Sequence, residues 1–249
     1  MERILVLILL LISFQAQAIS IISDLDDTLK ITNVENKPQA LWNALFNRAA
    51  FKGMPELIED YSTAGGDLFV VSASPNLFEK PIEDFFSKNE VSVKQLYTRK
   101  LSQLGQKEAY KLESLRDILT RYPGEYLLWG DDVEIDADVY AKIKEEFPSQ
   151  IKAIYIHQIN GHKDLPGTKF YTAFDIAVAE YKAGRISSLE LLDKAKDFLL
   201  IRDMEAVFPK FKFCPTEQSV FETDLPFIVR TAAKSVYTKI TNFCQSRDG

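Results

Sequence analysis

The chain has 249 residues, of which 46% are hydrophobic and 27% charged, with a net charge of −6 and a pI near 5.2. This length holds one large α/β domain, or a core domain with a C-terminal extension. The acidic balance argues against nucleic acid, or an anionic surface, as the main partner.

Met1-Glu2-Arg3 is charged, residues 4–14 are almost wholly apolar, and Ala16-Gln17-Ala18 follows. A short charged start, an apolar stretch too brief to span a bilayer and a small-x-small site predict an export signal over 1–18. Cleavage after Ala18 would leave a periplasmic or secreted chain, with no cysteine beside the site to carry a lipid. No later segment reads as a membrane anchor.

Ile19-Ser20-Ile21-Ile22 is the first expected strand. Helices follow over 39–50, with Leu41, Trp42, Leu45 and Phe46 as apolar residues, and over 54–64, ended by Gly65-Gly66. Leu68-Phe69-Val70-Val71 is the second strand. A helix over 77–88 is opened by Pro75-Asn76 and has Phe78, Ile82, Phe85 and Phe86 on its apolar face. A strand over 93–99 precedes a helix over 107–122, which Pro123-Gly124 stops. The strand Tyr126-Leu127-Leu128-Trp129, a helix over 137–147 and a strand over 151–156 complete the pattern. Such alternation predicts a Rossmann-like, mostly parallel sheet with helices on both faces.

Beyond Asn160-Gly161-His162 the pattern becomes three helices, over 171–183, 187–200 and 225–243, with no strand between them. The expected domains are a core over 19–165, with a small helical cap insert near 33–65, and a helical extension over 166–249. Cys214 and Cys244 are the only cysteines. In an exported chain such a pair reads as a disulfide.

Three apolar runs end in polar residues: Asp24-Leu25-Asp26-Asp27-Thr28, Ser72, and Gly130-Asp131-Asp132. Open parallel sheets place ligands at their carboxyl ends. Carboxylates, a hydroxyl and a helix lysine meeting there suit a divalent cation and a phosphoryl group.

Asp24 and Asp26, two apart, project to one side. One can attack phosphorus to give an aspartyl-phosphate. The other can protonate the departing oxygen and later take a proton from the hydrolysing water. An Asp-rich turn or helix cap explains the same residues equally well. Ser72 and the backbone after it, starting at Ala73, can hold phosphoryl oxygens near a helix start.

Magnesium takes a few carboxylates together with waters and phosphate oxygens. Asp131 is the expected direct ligand, supported by Asp136 or, in its place, Asp132. Lys107 and Lys111 share a helix face. Lys111, which leads into Leu112, Leu115, Ile118 and Leu119, is the preferred cation for a phosphate among aspartates. His157 and His162 are too few and too close for a histidine mechanism.

In this order the segments resemble the haloacid-dehalogenase superfamily of phosphohydrolases. More narrowly, Asp24-Leu25-Asp26-Asp27-Thr28-Leu29-Lys30, Val71-Ser72-Ala73-Ser74-Pro75 and Gly130-Asp131-Asp132-Val133-Glu134-Ile135-Asp136-Ala137-Asp138-Val139-Tyr140 are similar to the catalytic domain of App1-type phosphatidate phosphatases. Thr32-Asn33-Val34 and Gly53-Met54-Pro55 extend the likeness, which covers 19–158. The resemblance implies a Rossmann-like core and Mg²⁺ dependence. It implies Asp24 as nucleophile, Asp26 as acid/base, and Ser72 and Lys111 as phosphate ligands. Asp24, Asp26, Asp131 and Asp136 form the expected metal set. The chain departs from the family at Asp132-Val133, where a serine-glycine pair is expected, and at His157, where arginine is expected.

The expected function is Mg²⁺-dependent phosphomonoester hydrolysis through an aspartyl-phosphate. The resemblance implies phosphatidate or another lipid phosphate at a membrane surface as substrate; a small soluble phosphoester is the alternative. Leu41, Trp42, Leu45, Phe46 and Phe51 could meet acyl chains or simply form core. A non-catalytic phospho-acceptor switch domain uses similar groups in another chain order. A calcium loop needs the Gly and distal Glu that residues 24–28 lack.

Overall fold

Short apolar runs rich in Ile, Val and Leu, buried on both faces, make the strands of a parallel sheet. The computed structural model describes residues 18–103, 105–162, 164–215 and 225–248. Residues 1–17 of the expected export signal, and the Leu41 side chain, lie outside the described set. In chain order the elements are β1 (Ile19–Ser23), α1 (Lys37–Phe46), α2 (Met54–Thr63), β2 (Leu68–Pro75), α3 (Glu79–Lys88), β3 (Gln95–Arg99) and α4 (Lys107–Arg121). Then come β4 (Glu125–Asp131), α5 (Asp136–Glu146), β5 (Ile151–His157), β6 (Thr168–Phe170), α6 (Ala173–Lys182), α7 (Ser188–Leu200) and α8 (Phe227–Asp248).

The six strands are all parallel, in the order β3-β2-β1-β4-β5-β6. Strand order reverses between β1 and β4, and sheets of this kind open their ligand crevice at that point. Ser23 lies opposite Trp129 in the register, and the Asp24 amide donates to the Trp129 carbonyl at 2.8 Å. Asp24 therefore leaves the sheet beside the carboxyl end of β4, which runs on through Gly130 to Asp131.

Side-chain alternation along the strands divides the core. Ile21, Val70, Leu127 and Trp129 pack with α2 and α3 on one face. Ile22, Phe69, Val71 and Leu128 pack with α4 and α5 on the other. Of the expected insert over 33–65, α2 buries Met54, Leu57 and Ile58 in the sheet core as an ordinary crossover helix. Only α1 stands off the sheet. It begins at Lys37 rather than 39 because Asn36 caps it and Pro38 occupies its first turn.

The sheet also runs past the expected boundary at 165. Thr168–Phe170 adds a sixth strand beside β5, where only helices were expected. Three residues, two of them polar, carry too little alternation to read as a strand without a neighbour. Helix α6 is a shared wall: Ala173 and Ile176 face the sheet core, while Phe174, Ala177 and Val178 face a second core built with α7 and α8. Cys214 and Cys244 form a disulfide that ties α8 to the preceding loop. Among the described residues no helix is long and apolar enough to cross a membrane.

Candidate active site

Asp24, leaving β1, is buried, as are Asp131 at the end of β4 and Asp136 in the first turn of α5. Each offers a carboxylate oxygen, and these oxygens lie within 4.8 Å of one another. Lys111, one turn into α4, reaches over the sheet edge to the same point. Its Nζ donates to Asp24 Oδ1 at 2.8 Å and to Asp136 Oδ1. Lys107 turns to Glu134 instead, so of the two lysines it is Lys111 that faces the aspartates. Asp131 Oδ1 accepts the amides of Val133 at 2.7 Å and Glu134 at 3.1 Å. Its other oxygen has, among the described residues, a long contact with the Thr28 hydroxyl, at 3.4 Å.

Three buried carboxylates face one buried ammonium. Burial pushes Asp24 well above the usual carboxylate range, against the pull of Lys111. Burial, and then the neighbouring Asp136 and Asp24, do the same to Asp131. Burial draws the Lys111 ammonium down, but Asp136 and Asp24 outweigh it and hold its pKa well above the ordinary value. Asp136 Oδ2 is buried with no hydrogen-bond partner among the described residues. Buried charge without a partner is costly. An all-oxygen donor set with an orphan oxygen and excess negative charge fits a hard divalent cation such as Mg²⁺.

Asp26, expected among the metal ligands, stands outside this cluster. Thr32 Oγ1 donates to its Oδ1 at 2.7 Å and Ser74 Oγ to its Oδ2 at 2.9 Å. Both oxygens are taken by hydroxyls, which orient the side chain on its own. Sequence assigned no role to Thr32 or Ser74, although both lie in the segments that carry the family resemblance. Ser72 is buried, and its Oγ accepts the Ser74 amide at 3.1 Å, so its hydroxyl proton is left to donate. The Ala73 carbonyl accepts from Arg99 at the end of β3, which braces this strand end.

The turn-forming role belongs to Asp27. At φ 57° it gathers the amides of Thr32, Asn33 and Val34 at 2.7–2.9 Å. Burial pushes its carboxyl up to about 6, against those three amides. Asp132 does the same for another loop: it accepts the amides of Ile159, Asn160 and His162 at 2.7–2.9 Å. It therefore cannot replace Asp136. His157 Nδ1 donates to the Asp27 carbonyl at 2.8 Å while its ring stacks on Phe170. Both departures from the family pattern thus hold loops around the cluster.

Residues 19–158 match the family described as phosphatidate phosphatase APP1, catalytic domain. Phosphatidate phosphatase APP1 of Saccharomyces cerevisiae is 30% identical over 160 residues, which is 59% of this chain and 27% of that protein. An uncharacterised protein of Schizosaccharomyces pombe is 26% identical over 155 residues, 57% of this chain and 25% of its own. The chain spans about a quarter of the length of these relatives. Among solved structures, the Pnkp1/Rnl/Hen1 RNA repair complex contains a chain with a TM-score of 0.40 and 18% identity, covering 55% of this chain and 42% of that one. A class C acid phosphatase from Bacillus anthracis with tungstate bound has a TM-score of 0.39 and 12% identity, covering 74% and 84%. At these scores neither likeness bears on the reading of the site. The match of 19–158, more than half of the chain, shows that the protein belongs to the phosphatidate phosphatase APP1 catalytic-domain family.

Proposed function

We propose that the protein is a divalent-cation-dependent phosphomonoester hydrolase, with phosphatidate or another lipid phosphate as its substrate. The observation that carries this reading is the meeting of Asp24, Asp131 and Asp136 around Lys111 at the β1–β4 switch point. Asp24 attacks phosphorus and becomes a phospho-aspartate. Asp26, held by Thr32 and Ser74, gives its proton to the leaving oxygen and then takes one from the water that hydrolyses the intermediate. Lys111 and the Ser72 hydroxyl hold the non-bridging oxygens of the phosphoryl group. Asp24, Asp131 and Asp136 would hold Mg²⁺, which when bound neutralises charge on the transferring phosphoryl group. The apolar start of the chain supports export to the periplasm or the exterior.

Asp24→Asn tests the assignment. Turnover of p-nitrophenyl phosphate is expected to fall about 10⁴-fold or more with an unchanged circular-dichroism spectrum. Near-normal hydrolysis by that variant refutes the nucleophile. Phosphatidate in mixed micelles, set beside a panel of soluble phosphoesters with and without Mg²⁺, tests the substrate. Activity confined to soluble sugars or nucleotides would replace the lipid reading with the soluble one.

A further inference from the structure

Helix α1 is tied to the protein by polar contacts and carries aromatic side chains outward. Asn43 donates to the Thr32 carbonyl at 2.8 Å, and Asn47, at its end, donates to the Ile31 carbonyl at 2.8 Å. On its outer side Trp42 and Phe46 are 64% and 60% exposed, with ring centroids 4.4 Å apart. A surface helix bathed in water presents polar residues on that side. Thr32, to which Asn43 anchors the helix, is also the residue whose hydroxyl holds Asp26. The exposed aromatic pair is therefore tethered to the site itself.

Two more large apolar side chains crown neighbouring strands. Leu77, 70% exposed, lies in the 3₁₀ turn between β2 and α3, and α1 packs against α3. Leu101, 54% exposed, lies in the 3₁₀ turn just after β3. All four project from segments at the carboxyl edge of the sheet, where the acidic cluster lies. Large exposed apolar side chains that recur along one edge mark an interaction surface more often than singly scattered ones do.

Local charge identifies the occupant. Although the chain is −6 overall, segments 33–48, 74–80 and 99–107, which carry these tips, hold six Lys or Arg against Glu35, Glu79 and the Asp84 and Glu134 that pair with them, a net +2. Arg48 and Lys80 share Asp84, and Lys107 pairs with Glu134. Lys37, on the aromatic helix, and Lys100, next to Leu101, are exposed. Tryptophan favours the membrane–water interface, and lysines beside inserted apolar residues favour anionic headgroups. The whole-chain charge, which argues against an anionic surface, conceals this asymmetry.

We infer that this edge docks on an anionic phospholipid bilayer. Trp42, Phe46, Leu77 and Leu101 enter the interface, Lys37 and Lys100 sit among the headgroups, and the mouth of the site meets the substrate where it lies in the membrane. The inference rests on the lipid-phosphate reading proposed above, and its test is separable from the test of that reading.

The chain has two tryptophans and Trp129 is fully buried, so Trp42 is a native reporter. The full chain is mixed with vesicles of phosphatidylcholine and phosphatidylglycerol, which contain no phosphomonoester to occupy the active site. The expected results are a blue shift of tryptophan emission, quenching by brominated acyl chains, and flotation with the vesicles that weakens with salt. Trp42→Ala/Phe46→Ala should reduce flotation about tenfold or more, and Trp42→Phe should abolish the emission change while keeping flotation. Lys37→Glu/Lys100→Glu should reduce flotation on these anionic vesicles. All three variants should keep wild-type hydrolysis of p-nitrophenyl phosphate.

Absence of both the shift and flotation overturns the inference, as does flotation unchanged in Trp42→Ala/Phe46→Ala. So does a vesicle-free dimer that the same double variant dissolves, because a second copy would then be the occupant. A wild-type chain that floats but hydrolyses no phosphomonoester removes the phosphatase reading and leaves the docking surface standing.

Discussion

Gly130 and Asp136 lie so close that a Cβ on Gly130 would come 2.5 Å from the Asp136 Cβ and 2.8 Å from Tyr140 Cε2. The bare backbone at Gly130 lets the first turn of α5 close on β4 and carries Asp136 to Lys111. Gly130→Ala should push that turn outward at a cost of about 1–3 kcal/mol in stability. Mg²⁺ binding should weaken with it, because Asp136 moves while Asp24 and Asp131 stay. Denaturation in urea and calorimetric Mg²⁺ titration check this, and a variant with wild-type values on both measures refutes it.

Thr32 and Ser74 give Asp26 its position. Thr32→Val or Ser74→Ala removes one hydrogen bond to a carboxylate, worth about 1.5 kcal/mol or somewhat more, and so should lower kcat about tenfold or more. The KM for a soluble phosphomonoester should stay near wild type, since both hydroxyls are engaged by the Asp26 carboxylate. A rise in KM with kcat unchanged would place them at substrate binding instead.

Mg²⁺ should stabilise the fold more at pH 8 than at pH 5. Asp24 and Asp131 have folded pKa values raised above the unfolded ones. Their favourable contribution is complete below the unfolded carboxylate range and is lost as pH rises through the raised values. A cation that binds the ionised carboxylates offsets that loss, by about 2.7 kcal/mol at a hundred times its Kd. Thermal unfolding with Mg²⁺ or with a chelator, at both pH values, gives the difference directly. Groups remote from the cluster, His157 among them, cancel in that difference. A larger gain at pH 5 would have the wrong sign.

Reduction of Cys214–Cys244, which are 30 residues apart, should cost about 3–4 kcal/mol through the freed unfolded chain. The loss should fall on the helical half, since both cysteines lie in the core formed by α6, α7 and α8. Hydrolysis of a soluble phosphomonoester by the reduced protein at a temperature where it remains folded should be little changed. Loss of activity without loss of stability would contradict this.

Sequence alone determined β1, β2, β4 and β5, because each is a largely apolar local run ended by polar residues, and it determined which acids stand at their carboxyl ends. It also determined the pairing partner of each cysteine, there being only two. It preferred Lys111 over Lys107, which shares its helix face, only for the apolar run that follows; the packing of α4 on the sheet shows that Lys111 is the ammonium that reaches the aspartates. The choice between Asp136 and Asp132 turned on contacts with residues far along the chain: Asp132 is occupied by the amides of 159–162, and Asp136 has a gap to enter only because Gly130 lacks a side chain. Asp26 was separated from the acidic cluster by hydroxyls on a loop and on a neighbouring strand. Strand β6 and the outward aromatics of α1 were likewise settled by neighbours, since pairing and exposure depend on what packs beside a segment and not on its own periodicity.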